Sequence, residues 1–419
     1  MGLMKRNISV KIYDQARSFR EIGAGVAFAL QCMALLDLSI VDAVNAVATP
    51  NGDDANNPND YRRYHDGYHW DPEDPEGTDD KLLFLLHSGY KGFQGCHRAA
   101  LLDELVKHIP AHAVEFGKRF ESYVDTGSGQ KVLLQFRDGT TAEADAVTRS
   151  LTAHSSPWNA QSRCEGSFKA RNQHMHMGPS AHVLHFPVAG HTVLNFVTFV
   201  DEPADWPLGD PSGVGNMTAP ATRQDMARAF KGWRPTVSNL VELLPDEMDQ
   251  WAIFDTYDHP APTFVQGRVC LAGDAAHASS PHDGAGAGIG VEDALAPRTL
   301  LEKATATLSQ HPEADVASII ESSFSVYDKV RPPRSQWLVK SSRKACDIYE
   351  WNYPDTKTDW YKCLSEITAG SHKLWYFDIQ GMLRELNEGY QDLFPAGYVA
   401  IGSAKLSIGL ENGNVQAAH

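Results

Sequence analysis

The sequence predicts an α/β fold that contains an inserted set of antiparallel strands and ends in a helical region. Three observations predict it. A buried strand, an acidic turn and a glycine-rich helix start follow one another in residues 267–293. A short strand that ends in an acid lies near the start, at residues 8–14. Two strand pairs flank the turn dipeptides Asp138-Gly139 and Ala189-Gly190, which adds antiparallel strands.

Residues 267–293 are the part of the sequence that most strongly suggests a ligand site. The apolar run Val269–Ala272 predicts a covered strand, and Asp274 follows at its carboxyl end, where ligands bind in open α/β sheets. Four glycines alternate with small residues from 284 to 290, so backbone N–H groups at the following helix start can approach an anionic or electron-accepting group. Asp274 would accept hydrogen bonds from sugar or ribityl hydroxyls. The alternative is a loop that only turns the chain tightly.

Two further residues fit the same ligand. Asp14 ends the predicted strand 8–13, and an acid at the end of a second strand holds a ribose in dinucleotide-binding folds. Its alternative role is a helix cap or turn former. Arg98 begins a predicted helix over 99–109, where the helix dipole disfavours a cation, so a fixed anionic partner would explain it. Its alternative is a solvated surface charge.

The sequence GDAAH, then Pro281, then GAGAGIGVEDA resembles the second flavin fingerprint of the FAD-dependent aromatic monooxygenases, which include salicylate and para-hydroxybenzoate hydroxylases. REIGAGVAF at 20–28, the HR-x-x-LL step at 97–102 and RPPRSQWLVKSSRKACDIYE at 331–350 are similar to segments of the same family. The resemblance extends to about residue 390. It implies an α/β FAD/NAD(P)-binding dinucleotide fold with an inserted, mainly antiparallel substrate-binding sheet and a C-terminal helical region.

The resemblance also implies roles for particular residues. It predicts FAD contacts at Asp14, Gly25, Ala27, Arg98, Asp274, Gly286 and Ala287. It places Pro281 and His282 beside the isoalloxazine ring, while the general base stays open among His282, His185 and Tyr257. The implied reaction is hydroxylation of a phenolic or other aromatic substrate, with FAD as cofactor, NADPH or NADH as co-substrate and O2 as the oxygen source.

Two segments that the family contains are not found in this sequence. The family's G-x-G-x-x-G would precede Met1, so residues 1–6 are predicted to be the tail of the helix that follows it. The family's G-x-D-G loop would follow a strand at 142–147, but residues 148–171 contain no such loop. These departures motivate an alternative function, a non-catalytic, truncated paralogue that binds an aromatic ligand or a partner.

The predicted division has four parts. Residues 1–150 form the first part of the FAD-binding domain, truncated at its start, and residues 151–255 form the substrate-binding sheet. Residues 256–330 form the second part of the FAD-binding domain, and residues 331–419 form the C-terminal helical region. Within the first part, YRRYHDGYHW at 61–70 predicts a surface hairpin around an Asp66-Gly67 turn.

Composition excludes several classes of partner. The chain has 37 basic and 53 acidic residues, and this net charge of −16 opposes binding to nucleic acid or an anionic membrane. No apolar run is long enough for a membrane span, and six scattered cysteines fit reduced thiols, so a cytoplasmic protein is predicted. Copper or zinc at His174 and His176, with His182 and His185 nearby, is an alternative, but no third ligand has a fixed spacing and no metal is predicted.

Overall fold

The computed structural model of the chain describes residues 1–18, 25–26, 30–51, 60–71, 73, 81–88, 94–150, 160–162, 171–201 and 218–395. Its strands are β1 (Ile12–Asp14), β2 (Gly25–Val26), β3 (Ala48–Pro50), β4 (Asp60–Asp66), β5 (Lys81–His87), β6 (Gln94–His97), β7 (Val114–Phe116), β8 (Phe120–Val124), β9 (Val132–Phe136), β10 (Thr141–Ala144), β11 (Val147–Ser150), β12 (Ala160–Ser162), β13 (His174–Gly178), β14 (Ala181–Val188), β15 (Val193–Val200), β16 (Thr218–Thr222), β17 (Glu247–Trp251), β18 (Val265–Gln266) and β19 (Val269–Ala272). Its α-helices are α1 (Leu30–Leu36), α2 (Leu38–Val47), α3 (Arg98–Val106), α4 (Arg223–Ala229), α5 (Pro235–Glu242), α6 (Asp274–His277), α7 (Gly286–Gln310), α8 (Val316–Val330), α9 (Pro332–Tyr349), α10 (Trp360–Trp375) and α11 (Ile379–Leu393). None of the described helices has both the length and the hydropathy that crossing a bilayer would require.

The largest sheet has six strands in the order β12-β15-β14-β13-β4-β5. Its neighbours are antiparallel except β13 and β4, which are parallel. The predicted strand pair around Ala189-Gly190 is confirmed as β14 and β15. The predicted surface hairpin at 61–70 is wrong, because β4 is an interior strand in which Tyr64 is fully buried and Arg62 is 5% exposed. Polar side chains at these positions suggested an exposed strand, but they are packed inside.

Several smaller sheets carry the α/β part of the fold. The pairs β1 with β7 and β11 with β19 are parallel, whereas β8, β9 and β10 form an antiparallel sheet whose last turn is the predicted Asp138-Gly139. Two predicted strands have different bounds. Only Ile12–Asp14 of the predicted strand 8–13 pairs, and the predicted strand 142–147 is divided between β10 and β11. The predicted helical tail at the start is a short 3₁₀ helix, Met4–Arg6.

The helices cover the sheets from different sides. Helices α7, α8 and α11 pack with β19 around a core that includes Cys270, Leu295, Phe324 and Leu386. Helices α9 and α10 cover one face of the six-stranded sheet, and α4 and α5 cover the opposite face. We call the first the inner face, defined by Arg62, Tyr64, Met175, Met177, His182 and Phe199. We call the second the outer face, defined by His65, His174, His176, Val183 and His185.

The six-stranded sheet contains strands from two of the predicted parts of the chain. Strands β4 and β5 lie within residues 1–150, yet they pair in the same sheet as β13, β14 and β15. The inserted sheet is therefore built from two separated parts of the sequence. The four-part division of the chain stays a prediction.

Candidate active site

The turn after β19 has the geometry that the glycine-rich segment predicts. Gly273 has φ +56° and ψ −142°, a conformation that side chains disfavour, and an added Cβ would lie 3.1 Å from the Ser150 hydroxyl oxygen. Asp274 is the first residue of α6, immediately after this turn. The sharp turn therefore places its backbone at the carboxyl end of the parallel β11–β19 pair.

A buried ionic network holds this turn against α7 and α9. The Asp293 carboxylate accepts hydrogen bonds from the Gly273 N–H at 2.8 Å, from His277 Nε2 at 2.5 Å and from Arg331 Nε at 2.9 Å. Burial alone raises the pKa of Asp293, but the Arg331 charge and the His277 hydrogen bond outweigh it and leave the pKa below its usual value. Glu292 pairs with the same arginine at 3.0 Å. The network makes the turn a rigid platform.

The start of α7 is open to a ligand. Ala285 is the N-cap and its side chain caps nothing, and the first turn contains no acidic residue. A Cβ added at Gly288 would meet no other atom within 4 Å, apart from its chain neighbours and its own helix backbone. Uncapped N–H groups and the positive end of a 25-residue helix favour an anionic or electron-accepting group. Gly286 and Ala287, predicted to contact FAD, are the first two residues of this helix.

The remaining predicted cofactor residues lie on separate elements. Asp14 ends β1, and its carboxylate accepts a hydrogen bond from the Ala16 N–H at 2.7 Å. Gly25 of β2 pairs with His97 of β6, the residue before Arg98, which begins α3. Ala27 lies outside the described residues. The structure therefore brings the Gly25 strand next to the helix that Arg98 begins.

Packing also brings α3 to the first turns of α7. Val291 of α7 contacts the cluster that contains Met33, Ala43, Cys96 and Leu101. Cys96 directly precedes the β6–α3 junction, and Leu101 lies one turn into α3. The two helix starts predicted to contact the cofactor thus share one small core.

His282 lies in a 3₁₀ helix, Pro281–Asp283, and faces the inner side of the six-stranded sheet. Its ring centroid is 5.1 Å from that of His182, 4.8 Å from Phe199 and 6.4 Å from Tyr349. The His182 ring stacks on Phe199 at 4.3 Å with an interplanar angle of 11°. The segment before α7 therefore meets the sheet at an aromatic, imidazole-rich contact.

Electrostatics in this contact favour neutral imidazoles. Burial lowers the pKa of both His182 and His282 to about 3, so each ring is uncharged at neutral pH. His182 Nδ1 lies 3.0 Å from Glu350 Oε1, and burial raises the pKa of that carboxyl. A cluster of this kind can exchange a proton among its members without exposing charge to solvent.

Comparisons with known proteins agree with this geometry. Residues 218–309 match the FAD binding domain family model. Salicylate hydroxylase asL1 of Sarocladium schorii is 42% identical over 433 residues, covering 93% of this chain and 88% of the relative. The FAD-dependent monooxygenase pigN of Monascus ruber is 43% identical, covering 93% of each chain.

This chain belongs to the FAD-dependent monooxygenases of the salicylate hydroxylase type.

Solved structures show the same fold for the monooxygenase. A salicylate hydroxylase substrate complex is 25% identical and superimposes with a TM-score of 0.72 over 92% of this chain and 93% of the other. Klebsiella pneumoniae HpxO complexed with FAD and uric acid, 22% identical, superimposes with a TM-score of 0.63 over 93% of each chain. The α/β fold with a C-terminal helical region and the predicted family are therefore confirmed.

The sequence did not indicate that Arg62 belongs to the inner face of the monooxygenase. Its guanidinium Nη1 lies 3.3 Å from the Tyr349 hydroxyl and 3.4 Å from the Tyr64 hydroxyl. Within the described ranges, no carboxylate forms an ion pair with it, although the Asp283 carboxyl is near enough to feel its charge. Burial raises the pKa of Asp283 to about 6.

The three open candidates for the general base are placed very differently. His282 is buried at the inner face, as described above. His185 lies on the outer face, 3.2 Å from His176 between their Nε2 atoms, and so faces away from residues 281–283. Tyr257 is 43% exposed, and the Arg343 guanidinium lies 4.5 Å from its ring centroid. Geometry thus favours His282 over the other two.

The histidines considered as metal ligands divide between the two faces. His174 and His176 stack with His65 and His185 on the outer face, whereas His182 points to the inner face. In the part of the chain that the structure describes, one group has a spacing that could hold a metal ion, and it is His182, His282 and Glu350. The alternating pair His174 and His176 is not part of it.

A cavity of about 290 Å³ opens between α9 and α10. Asp283 and Tyr349 lie at its wall, together with Trp337 and the lysines at 340, 344 and 373. Its volume is close to the lower end of the range for small-molecule sites, about 300 Å³. The 281–283 segment thus borders the sheet on one side and this cavity on another.

Proposed function

We propose that this monooxygenase hydroxylates a phenolic or other aromatic substrate, using NADPH or NADH as reductant and O2 as the oxygen source. One observation supports this proposal most directly. His282, in the 281–283 segment directly before the start of α7, contacts the buried inner-face residues His182 and Phe199. An aromatic ring is suited to such a contact because it stacks on flat side chains. The similarity to salicylate hydroxylase asL1 and to the substrate complex of a salicylate hydroxylase supports this substrate class.

The proposal assigns the cofactor contacts by position. FAD would be held by Asp14, Gly25, Ala27, Arg98, Asp274, Gly286 and Ala287, with Pro281 and His282 beside its ring. Bound FAD supplies the redox chemistry, accepting a hydride from NAD(P)H and activating O2. The uncapped start of α7 and the space around Gly288 support the fit of this cofactor. The proposal includes the four-part domain division given above.

The protein's own contribution is to orient the substrate and to keep water away. His182, Phe199, His282 and Tyr349 bring flat, buried surfaces together at one place. Exclusion of water favours transfer of oxygen to the substrate over loss of reducing equivalents. Arg62 on the same face favours a substrate that is anionic or becomes anionic when its hydroxyl loses a proton.

Substitution of the assigned cofactor residues tests the proposal. Asp274→Ala and Arg98→Ala should each reduce the FAD content of the purified protein by tenfold or more, because each removes a charge-assisted hydrogen bond worth about 1.5–3 kcal/mol. Flavin absorbance against protein absorbance measures the content. Asp258→Ala and Arg384→Ala, at exposed ion pairs, serve as matched controls that should keep wild-type flavin.

Circular dichroism should show that both variants stay folded. Wild-type flavin content in Asp274→Ala and Arg98→Ala would show that the positional assignment is wrong. A wild-type holoprotein that does not oxidise NAD(P)H with any phenol would contradict the proposed reaction itself.

A further inference from the structure

His182, His282 and Glu350 form a closed polar cluster at the inner face. They come from β14, from the 3₁₀ helix before α7, and from the residue that follows α9. They are 0%, 6% and 5% exposed, and one side-chain donor or acceptor atom of each lies within 4.8 Å of those of the other two. Three distant parts of the sequence thus converge on one small volume.

The hydrogen bonds of this cluster are incomplete. His182 uses Nδ1 with Glu350 at 3.0 Å, and His282 uses Nδ1 with the Ser280 hydroxyl at 2.9 Å. Both Nε2 atoms are buried and have no partner in the described part of the chain. A buried polar atom without a partner costs about 1–3 kcal/mol, so the two nitrogens call for a polar group from outside the chain.

A hydroxyl placed between the two nitrogens would satisfy both. If the Glu350 carboxylate accepts the Nδ1 proton of His182, Nε2 of His182 is an acceptor. If His282 Nδ1 accepts the Ser280 hydroxyl proton, Nε2 of His282 carries a proton and is a donor. A hydroxyl between them donates to the first nitrogen and accepts from the second. A phenol carries such a group.

We propose that the substrate hydroxyl binds between Nε2 of His182 and Nε2 of His282, and that His182, oriented by Glu350, removes its proton. This inference rests on the proposed function and names its base. The O–H bond of the phenol breaks, its proton forms an N–H bond at His182 Nε2, and the electron pair stays on the phenolate oxygen. The His182 imidazolium is balanced by the Glu350 carboxylate, and the His282 N–H holds the phenolate. A phenolate is the more electron-rich ring and the better acceptor of oxygen.

In this arrangement His182 and His282 are catalytic residues because they touch the substrate, and Glu350 is a positioning residue because it acts through His182. The pattern is that of an imidazole base whose second nitrogen is fixed by a carboxylate. Loss of the carboxylate removes both the orientation of the ring and the balance of its positive charge.

Other charged groups face the cluster and tune it. Burial is the main cause of the lowered pKa of both histidines, and Arg62 from β4 lowers it further. Glu350, and then Asp255 from the loop before β18, raise the pKa of His282. From α9, the Cys346 thiol donates to Glu350 and lowers its pKa, while Asp347 and Glu350 repel each other. A substrate anion near Arg62 would offset the lowering of the His182 pKa by the Arg62 charge and so make His182 a stronger base.

The test compares Glu350→Gln and His182→Gln with wild-type holoenzyme. The probe is 2,4-dihydroxybenzaldehyde, whose 4-hydroxyl ionises within the tested range because the para aldehyde withdraws electrons. Product formation and NAD(P)H oxidation are measured from pH 6 to pH 10. Each variant should lose about 10²-fold in kcat near pH 7, the usual contribution of a positioned base. The loss should shrink as the pH rises, because the probe then arrives as a phenolate. Glu302→Gln, at the ion pair with Arg6 away from the inner face, is the control and should keep the wild-type profile.

Flavin absorbance and melting temperature show that each variant is folded and loaded. A Glu350→Gln enzyme with the wild-type pH profile would overturn the inference, and so would a loss that high pH does not restore, which indicates a structural role. Stoichiometric zinc or copper in the purified wild type that is lost in His182→Gln would also overturn it, since a metal ion would then occupy the site. Failure of the wild type to bind FAD or oxidise NAD(P)H would instead contradict the proposed function.

Discussion

The two faces of the six-stranded sheet both bury histidines, but the hydrogen-bond partners of these histidines differ between the faces. On the outer face, His65 and His174 lie 2.9 Å apart and His176 and His185 lie 3.2 Å apart, so imidazole bonds to imidazole. On the inner face, His182 bonds to a carboxyl. His182 and His185 are three residues apart on one strand, yet they lie on opposite faces.

The difference shows what separates a packing histidine from a reactive one. The outer-face rings stack on one another, and burial with neighbouring rings holds the pKa of His174 well below its usual value. On the inner face, Glu350 raises the pKa of His282, but burial outweighs this effect and both His182 and His282 are neutral at neutral pH. These rings lie beside the start of α7. Burial and a lowered pKa are common to both sets, whereas the hydrogen bond to a carboxyl is made by His182 of the inner set.

Removing one histidine ring from each face, in two separate variants, tests this contrast most strongly. His282→Ala should lower kcat about 10²-fold, because it removes a group that contacts the substrate. His185→Ala should keep kcat within about twofold and lower the free energy of unfolding by about 1–3 kcal/mol, because it removes the hydrogen bond to His176. Steady-state kinetics and urea denaturation of both variants measure the two effects. The contrast between the faces would be broken by a His185→Ala enzyme that loses as much activity as His282→Ala.

Acid sensitivity is a smaller effect, to which buried histidines of both faces contribute, and His174 gives the outer-face part of it. The native pKa of His174 is depressed by burial and by His185, so between pH 6.5 and that lower value the unfolded chain binds a proton that the native chain does not. Stability therefore falls as the pH decreases, by up to about 1.4 kcal/mol per pH unit for each such histidine.

His174→Gln removes this contribution. Its free energy of unfolding should fall less between pH 7 and pH 5.5 than that of the wild type, as measured by urea denaturation at both pH values. His112→Gln, at an exposed histidine, should leave the wild-type slope unchanged. An unchanged slope in His174→Gln would show that the outer-face stack does not govern acid stability.

The sequence predicted the cofactor side of the site better than the substrate side. The turn at Gly273, the acid at 274 and the helix that begins at Gly286 follow from local chemistry, because glycine conformation and helix starts depend on neighbouring residues. Strand pairs around tight turns, such as β14 with β15, were likewise predictable.

The substrate side depends on contacts between distant residues. Glu350 meets His182 across 168 positions of sequence, and nothing in either segment indicates that pairing. Arg62 was assigned to a surface hairpin because its neighbours are polar, whereas the parallel pairing of β4 with β13 buries it. Register decides the faces, since shifting β14 by one residue would exchange His182 and His185.

We propose that this monooxygenase uses its FAD on a phenol at the inner face of the sheet. The most direct measurement is the absorbance of the purified chain from 300 to 550 nm with added FAD, followed by NAD(P)H oxidation with salicylate-type phenols. The account predicts bound-flavin bands at roughly 370 and 450 nm and NAD(P)H oxidation that a phenol accelerates. A chain that stays colourless after addition of FAD would contradict it.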